Sequence, residues 1–358
     1  MSPAEPPGDE RGALAHDLRA QAVNCRAFGS PLYAALLERS AVDAKDGGPV
    51  LVALQGLLPA PGLTFVGLHL MGAVHRLVLE GRAPEVASRF PSAGGDGDPE
   101  AAWVAMRALL GEQPAEVRRL AGQPIQTNEP GRAAALLGGF LLVARRTGLP
   151  LRLIEVGTSA GLNLRWDRFR YESSGGAWGD PASPVQIAGA FEDRAPPLDV
   201  TPQIVERTGC DANPVDPTSE DGRLTLMSYV WADQLARLDA LRGAIDVARA
   251  VPAHVARANA LDWLAERLRV PVAGAATVAF HSMFLPYLSS EDRVRLVGTI
   301  QNAGERATPE APVAALSLEG TSGSLPAIFE VRLRMWPPGT DELIAIAQAH
   351  GPPVRWLG

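Results

Sequence analysis

The stretch LRLIEVGTSAGLNL, Leu151 to Leu164, constrains this chain more than any other. Leu151 to Val156 reads as a buried strand that ends in a carboxylate, Glu155, and glycines at 157 and 161 bound a sharp bend after it. Two chemistries compete for the pentapeptide GTSAG. As G-x-S-x-G it is the nucleophile elbow of a serine hydrolase, in which a tight strand-to-helix turn thrusts out an attacking serine. As a glycine-rich turn between a strand and a helix it seats a dinucleotide-like cofactor.

The flanks limit the choice. From about Ala13 to Arg146 apolar residues recur at helical spacing, in LAHDLRAQAVNCRAF, SPLYAALLERSAVD, GLHLMGAVHRLVLEG, DPEAAWVAMRALLGE and EPGRAAALLGGFLLVARR, with Gly and Pro clusters between them. No strand is predicted in that half. After Pro150 short apolar runs alternate with helical patterns: LRLIEVG, QIVERTGCD, HVARANA, ATVAFHSMFL, PVAALSLEG and FEVRLRMW. That alternation predicts a mostly parallel sheet with helices on its faces. The stretch at about 166–200, rich in Gly, Pro and aromatic residues, reads as an insertion. A helical part over 1–147 and an α/β part over 148–358 are therefore expected.

Composition removes several functions. The 358 residues carry a net charge of -7, which argues against a protein that binds phosphate backbones. Lys45 is the one lysine, so the chain has no phosphate-binding G-x-x-x-x-G-K-[ST] loop. Two cysteines, Cys25 and Cys210, offer neither a disulfide framework nor a zinc site. His69 and His75 are six residues apart rather than the four of a helical metal pair, and no metal is expected. The opening MSPAEPPGDERG is not an apolar signal, and the longest apolar run, Ala133 to Ala144, is too short to span a bilayer. A cytoplasmic protein without a membrane or nucleic-acid partner is expected, acting on a small molecule.

A hydrolase needs an acid and then a histidine after Ser159, and Asp211 or Asp262 with His281 or His350 satisfies that order. It also needs strands ahead of the elbow to supply an oxyanion donor, and the preceding half reads as helical. A cofactor site fits the order of the strand ends better. Glu155 can meet a cationic amino group, and S-adenosylmethionine carries both an ammonium and a sulfonium. Asp211, in GCDANP, ends the second strand where ribose hydroxyls would lie, with Asn213 in the following turn. Asn259, in ARANALDWL, ends the third where adenine would lie, followed by Ala260. His281 and Ser282 end the fourth and would face the acceptor, His281 as general base.

Each of these residues has a plainer reading. Glu155 could be paired with an arginine, Asp211 could form an Asx turn, and His281 could be a hydrogen-bonded core histidine. Trp231 and Gln234 are candidate substrate contacts in a helical pattern where a tryptophan is more often core. Asn128 has the look of a helix N-cap ahead of Pro130, with Arg132 just inside the helix.

EVGTSAG, GCDANP, ANALDWL and FHSMFLPYL together resemble the four motifs of class I S-adenosylmethionine-dependent methyltransferases. The resemblance implies a Rossmann-like, seven-stranded, mostly parallel sheet under a helical N-terminal cap. It implies S-adenosylmethionine held by Glu155, Gly157, Thr158, Ser159, Gly161, Asn163, Asp211, Asn213, Asn259 and Ala260, with Asn128 and Arg132 closing over it. Serine stands where the first motif usually has a middle glycine, and the spacing from Gly161 to Asp211 requires the insertion. More closely, SPLYAALLERSA, MGAVHRLVLEGRAPE, QTNEPGRAAALL, EVGTSAGLNLRWDRF, GCDANPVDPTSEDGRLTLMSYVWADQ and MWPPG…HGPPVRWL resemble a family of uncharacterised bacterial proteins. The implied function is methyl transfer to a small-molecule acceptor. The alternatives are a serine hydrolase using Ser159 and a non-catalytic binding module.

Overall fold

Proline opens helix after helix in the first part of the chain. The computed structural model describes residues 7–57, 65–321 and 327–358, and its residues divide into two compact units. One comprises Met1–Thr127 with Glu220–Leu238, the other Asn128–Ser219 with Asp239–Gly358. The first holds α1 (Pro7–Ala27), α2 (Pro31–Lys45), α3 (Pro49–Leu54), α4 (Val66–Leu79), α5 (Pro84–Ala87), α6 (Pro99–Glu112) and α7 (Pro114–Ala121). Prolines at 31, 49, 84, 99 and 114 sit in the first turn, where the missing N–H costs nothing and φ is preset. Asp98 caps α6, accepting from the N–H groups of Glu100 and Ala101 at 2.8 and 3.2 Å. Among the described residues of Met1–Thr127 there is no strand.

The second unit begins with α8 (Arg132–Thr147) and then β1 (Leu151–Val156), β2 (Arg170–Ser173), β3 (Gly176–Trp178), β4 (Gln186–Ile187) and β5 (Ile204–Asp211). In chain order come α9 (Glu220–Ser228), which belongs to the first unit, and α10 (Leu235–Ala250), which passes from the first unit into the second after Leu238; then β6 (His254–Arg257), α11 (Ala260–Arg267), β7 (Ala276–Ser282) and α12 (Ser290–Gly304). Four strands close the chain: β8 (Val313–Gly320), β9 (Phe329–Trp336), β10 (Thr340–Gln348) and β11 (Gly351–Trp356). The division by packing falls ahead of α8, whereas the change of sequence texture comes near Gly148, because α8 lies against β7, β8, β9, β10 and β11.

The main sheet has eight strands rather than the expected seven, in the order β11-β10-β9-β8-β7-β1-β5-β6. From β6 through β5, β1 and β7 to β8 all neighbours are parallel. From β8 to β11 they run antiparallel, as a meander. That edge departs from a doubly wound sheet: β8 and β9 are antiparallel neighbours, with no helix between them among the described residues. A separate small sheet, β3-β2-β4, occupies the insertion.

Alternation along the strands fixes what faces what. Ile154 and Val156 pack with Leu261, Leu264, Leu296 and Ile300 of α11 and α12. On the opposite face Phe140 of α8 stacks on Trp166 at 4.5 Å between ring centroids and meets Phe280 of β7 edge-on at 5.1 Å. Truncating Phe140 removes a ring shared by two aromatic partners in a fully buried site. Phe140→Ala is expected to lower stability by about 3–5 kcal/mol, read as a lower denaturant midpoint at unchanged slope.

Candidate functional site

The chain leaves β1 for β5 and β6 on one side, then returns to lay β7 on the other side of β1. The carboxyl ends of β1 and β7 therefore flank a topological switch point, the place where open α/β sheets bind ligands. Glu155, Asp211, His281, Ser282 and Glu319 all lie at the carboxyl ends of parallel strands, at the same sheet edge.

Glu155 is 2% exposed and sits in register with Gly209 of β5 and Phe280 of β7. Among the described residues its hydrogen bond comes from Thr158 Oγ1, and no ion pair joins it to a guanidinium. Burial pushes its carboxyl from the ordinary value of 4.5 up to about 8. The Thr158 hydroxyl and the more distant charges of Arg165 and Arg132 pull the other way, and Asp211 adds to the rise. The Arg165 guanidinium is spent on the carbonyls of Val251 and Gly161, both at 2.7 Å.

The bend after β1 is braced from outside. Gly157 and Thr158 donate their N–H groups to the Cys210 carbonyl at 2.9 and 3.1 Å. Asp211 Oδ2 accepts from Ser159 N–H at 2.9 Å and Oδ1 from Asn213 N–H at 2.8 Å, so both oxygens shape backbone. Gly157 has φ 69, and a Cβ there would come within 2.5 Å of the Phe284 ring, so this position requires glycine. Ser159 takes φ 54 without being glycine. Beyond Gly161 the chain forms 3-10 turns over Leu162–Arg168, kinked at Arg165, instead of the α-helix expected there. Trp166 and Asn163 are drawn into the core within those turns.

Several candidates take other roles. Asn128 does not cap α8, whose N-cap is Gly131. Its Oδ1 accepts from Leu162 N–H at 2.9 Å and so holds the far end of the bend. Asn163 is 1% exposed: its Nδ2 donates to the Glu129 carbonyl at 3.2 Å, and its Oδ1 has no partner among the described residues. Arg132 donates to the Ala349 carbonyl at 3.0 Å. Asn259 caps α11 through Oδ1, accepting from Leu261 and Asp262 N–H at 3.0 and 3.2 Å, with Ala260 opening the helix. Asn213 is exposed, and Arg257 reaches its side chain at 3.4 Å. Trp231 and Gln234 belong to the helical unit. There Trp231 is buried against Tyr33, with Arg237 over its ring, and Gln234 donates to the Phe28 carbonyl at 2.6 Å.

His281 leaves the sheet on the α11–α12 face and Glu155 on the α8 face, so the edge itself is their common ground. Phe284 connects them: its ring covers Gly157, lies 6.0 Å from the His281 ring, and its N–H binds Glu319. Glu319, which sequence reasoning missed, is a buried carboxylate 2.6 Å from His281 Nδ1. An acid in the apolar run ALSLEG was its available signal. Tyr287 was missed too. It is 51% exposed, its phenol is raised by burial, and Arg132, Asp211 and Glu319 all lie close enough to act on it. Among the described residues no group of three His, Cys, Asp or Glu could hold a metal ion, and no helix is long and apolar enough to cross a membrane.

The arrangement sets a buried acid with no ion-pair partner among the described residues beside a backbone bend held from several sides. Its pH dependence has a definite sign. Unfolded, the Glu155 carboxyl ionises near 4.5; folded, it keeps its proton to about 8. Between those values the folded state binds more protons, so this group lowers stability as pH rises. In Glu155→Gln that fall is absent. The stability of the variant relative to wild type is expected to increase by about 1 kcal/mol per pH unit across that window, measured by denaturant unfolding from pH 5 to 8.

No curated protein and no solved structure matches the chain. A family model does match, over residues 15–356: the chain belongs to the family described as an uncharacterized protein conserved in bacteria (DUF2332).

Proposed function

We propose that this protein transfers a methyl group from S-adenosylmethionine to a small-molecule acceptor at the carboxyl edge of β1 and β7. The observation that carries the reading is Glu155, a buried carboxylate at the switch point that lacks a cation in direct contact. An ammonium group on a ligand supplies what the carboxylate lacks. The residues fit such a ligand in two further respects. Asn163 Oδ1 is a buried acceptor without a partner among the described residues. Asp211 ends β5 beside the bend, and each of its oxygens keeps a second lone pair for ribose hydroxyls after receiving a backbone N–H.

In this reading Glu155 and the 157–161 bend hold the methionyl end, and Asp211 holds the sugar. Asn259 commits its oxygen to α11, so its amide nitrogen is the group left for adenine. S-adenosylmethionine supplies an electrophilic methyl on a sulfonium. The protein supplies alignment and exclusion of water, which lower the barrier by making the encounter intramolecular.

One observation favours a second reading. Ser159 sits at φ 54 in G-x-S-x-G, the strained backbone that presents a nucleophile in a hydrolase elbow. Against it, β1 is the first strand in the chain among the described residues, so no earlier strand loop offers an oxyanion donor.

Calorimetry with S-adenosylmethionine and its demethylated product tests the proposal. Binding is expected in wild type, largely kept in Ser159→Ala and lost in Glu155→Ala. Because binding an ammonium requires Glu155 ionised, affinity should rise with pH below about 8, by up to about tenfold per unit. Absence of binding by the folded wild type would leave the non-catalytic module. Labelling of Ser159 by a fluorophosphonate would favour the hydrolase.

A further inference from the structure

The same sheet edge carries a second buried acid, and its surroundings are more elaborate than a chance ion pair. Both oxygens of Glu319 are engaged by one short segment after β7. Oε1 accepts from Phe284 N–H at 2.9 Å and stands 2.6 Å from His281 Nδ1, while Oε2 accepts from Leu285 N–H at 3.3 Å. Two backbone donors favour the ionised form of a carboxylate, and an ionised carboxylate beside Nδ1 requires the imidazole to carry its hydrogen there. Among the described residues His281 Nε2 makes no hydrogen bond, so its lone pair stays available.

The backbone between the partners is bent to bring this about. Met283 adopts φ 56, in the left-handed region, and its N–H is tied to the Leu318 carbonyl at 2.9 Å. That bend turns the chain back so that the Phe284 N–H and the His281 ring converge on one oxygen. A non-glycine residue there costs about 1 kcal/mol or more. The cost is offset locally by the bonds to Glu319.

We infer that Glu319 is a positioning residue that fixes His281 as the Nδ1–H tautomer, leaving Nε2 as general base for a hydroxyl-bearing small-molecule acceptor. The inference rests on the methyl-transfer reading of this edge. The acceptor oxygen bonds to the methyl carbon as the carbon–sulfur bond of the sulfonium breaks. Sulfur leaves with the bonding pair as a neutral thioether, and the hydroxyl proton passes to Nε2. A neutral amine attacks through its own lone pair and has no need of such a base. An alcohol or phenol does, because its oxygen becomes a good nucleophile as the proton departs.

Nitrogen-15 spectra of the full chain labelled at its six histidines test this directly, with the His281 signals identified by their loss in His281→Asn. At pH 8.5 wild-type His281 is expected as the Nδ1–H tautomer, giving way to a mixture in Glu319→Gln. Carbethoxylation of His281 by diethylpyrocarbonate, followed by peptide mass spectrometry, should slow at least fivefold under saturating S-adenosylhomocysteine. With paired phenol and aniline probes and a labelled methyl donor, transfer to phenol should fall at least a hundredfold in His281→Asn. An Nε2–H tautomer in the wild type overturns the inference without any variant. So does unprotected modification while calorimetry shows the nucleoside bound, or phenol methylation that His281→Asn leaves unchanged. Failure of the folded wild type to bind the nucleoside removes the methyl-transfer reading and the acceptor with it, while the tautomer still decides whether the two side chains form the pair.

Discussion

A carboxylate enclosed near the end of a central strand is the constraint to which the α/β unit answers. Leaving an acid in such a place costs several kcal/mol unless something compensates it, and the fold compensates Glu155 only in part. Thr158 gives it one hydroxyl, and the nearby guanidiniums are committed to carbonyls. A protein under selection for stability alone would place an apolar residue there. An undercompensated acid at a switch point is therefore a cost to the folded state, and such costs cluster at functional sites.

The rigidity of the bend beside it comes from residues far away in sequence. Cys210 and Asp211 of β5 receive three of its backbone N–H groups, Asn128 from the loop before α8 receives a fourth, and Phe284 from beyond β7 fills the space that Gly157 leaves. GTSAG by itself is a permissive pentapeptide. The parallel neighbours of β1 convert it into a fixed cradle, because their registers place the Cys210 carbonyl and the Asp211 carboxylate directly against it.

Much of this was legible from residues alone. Apolar runs broken by Gly and Pro located β1, β5, β6, β7, β8 and β9, since burial leaves a local trace in composition. What escaped depends on partners distant in the chain. TDELIAIAQ forms β10 on the edge that β9 offers, GPPVRW forms β11 on the edge of β10, and the prolines of the latter argue against a strand in isolation. The turns after Gly161 are 3-10 because Trp166 is pulled onto Phe140, a contact that spacing does not announce. Asn128 and Glu319 were obscured alike: each acts on backbone N–H groups more than thirty residues away.

The turn between β10 and β11 sits hard against the start of α8. Gly351, at φ 95, touches the Gly131 carbonyl so closely that neither position has room for a side chain, and Arg132 holds the Ala349 carbonyl from the same side. The loop carrying Asn128 is thus buttressed from a turn 217 residues further along the chain. A nascent chain can pair β1 with β5 and β7 before that turn exists, yet the bend after β1 keeps an unbraced flank until translation has passed residue 351. Folding of the sheet's centre and fixing of the bend are accordingly separable in time.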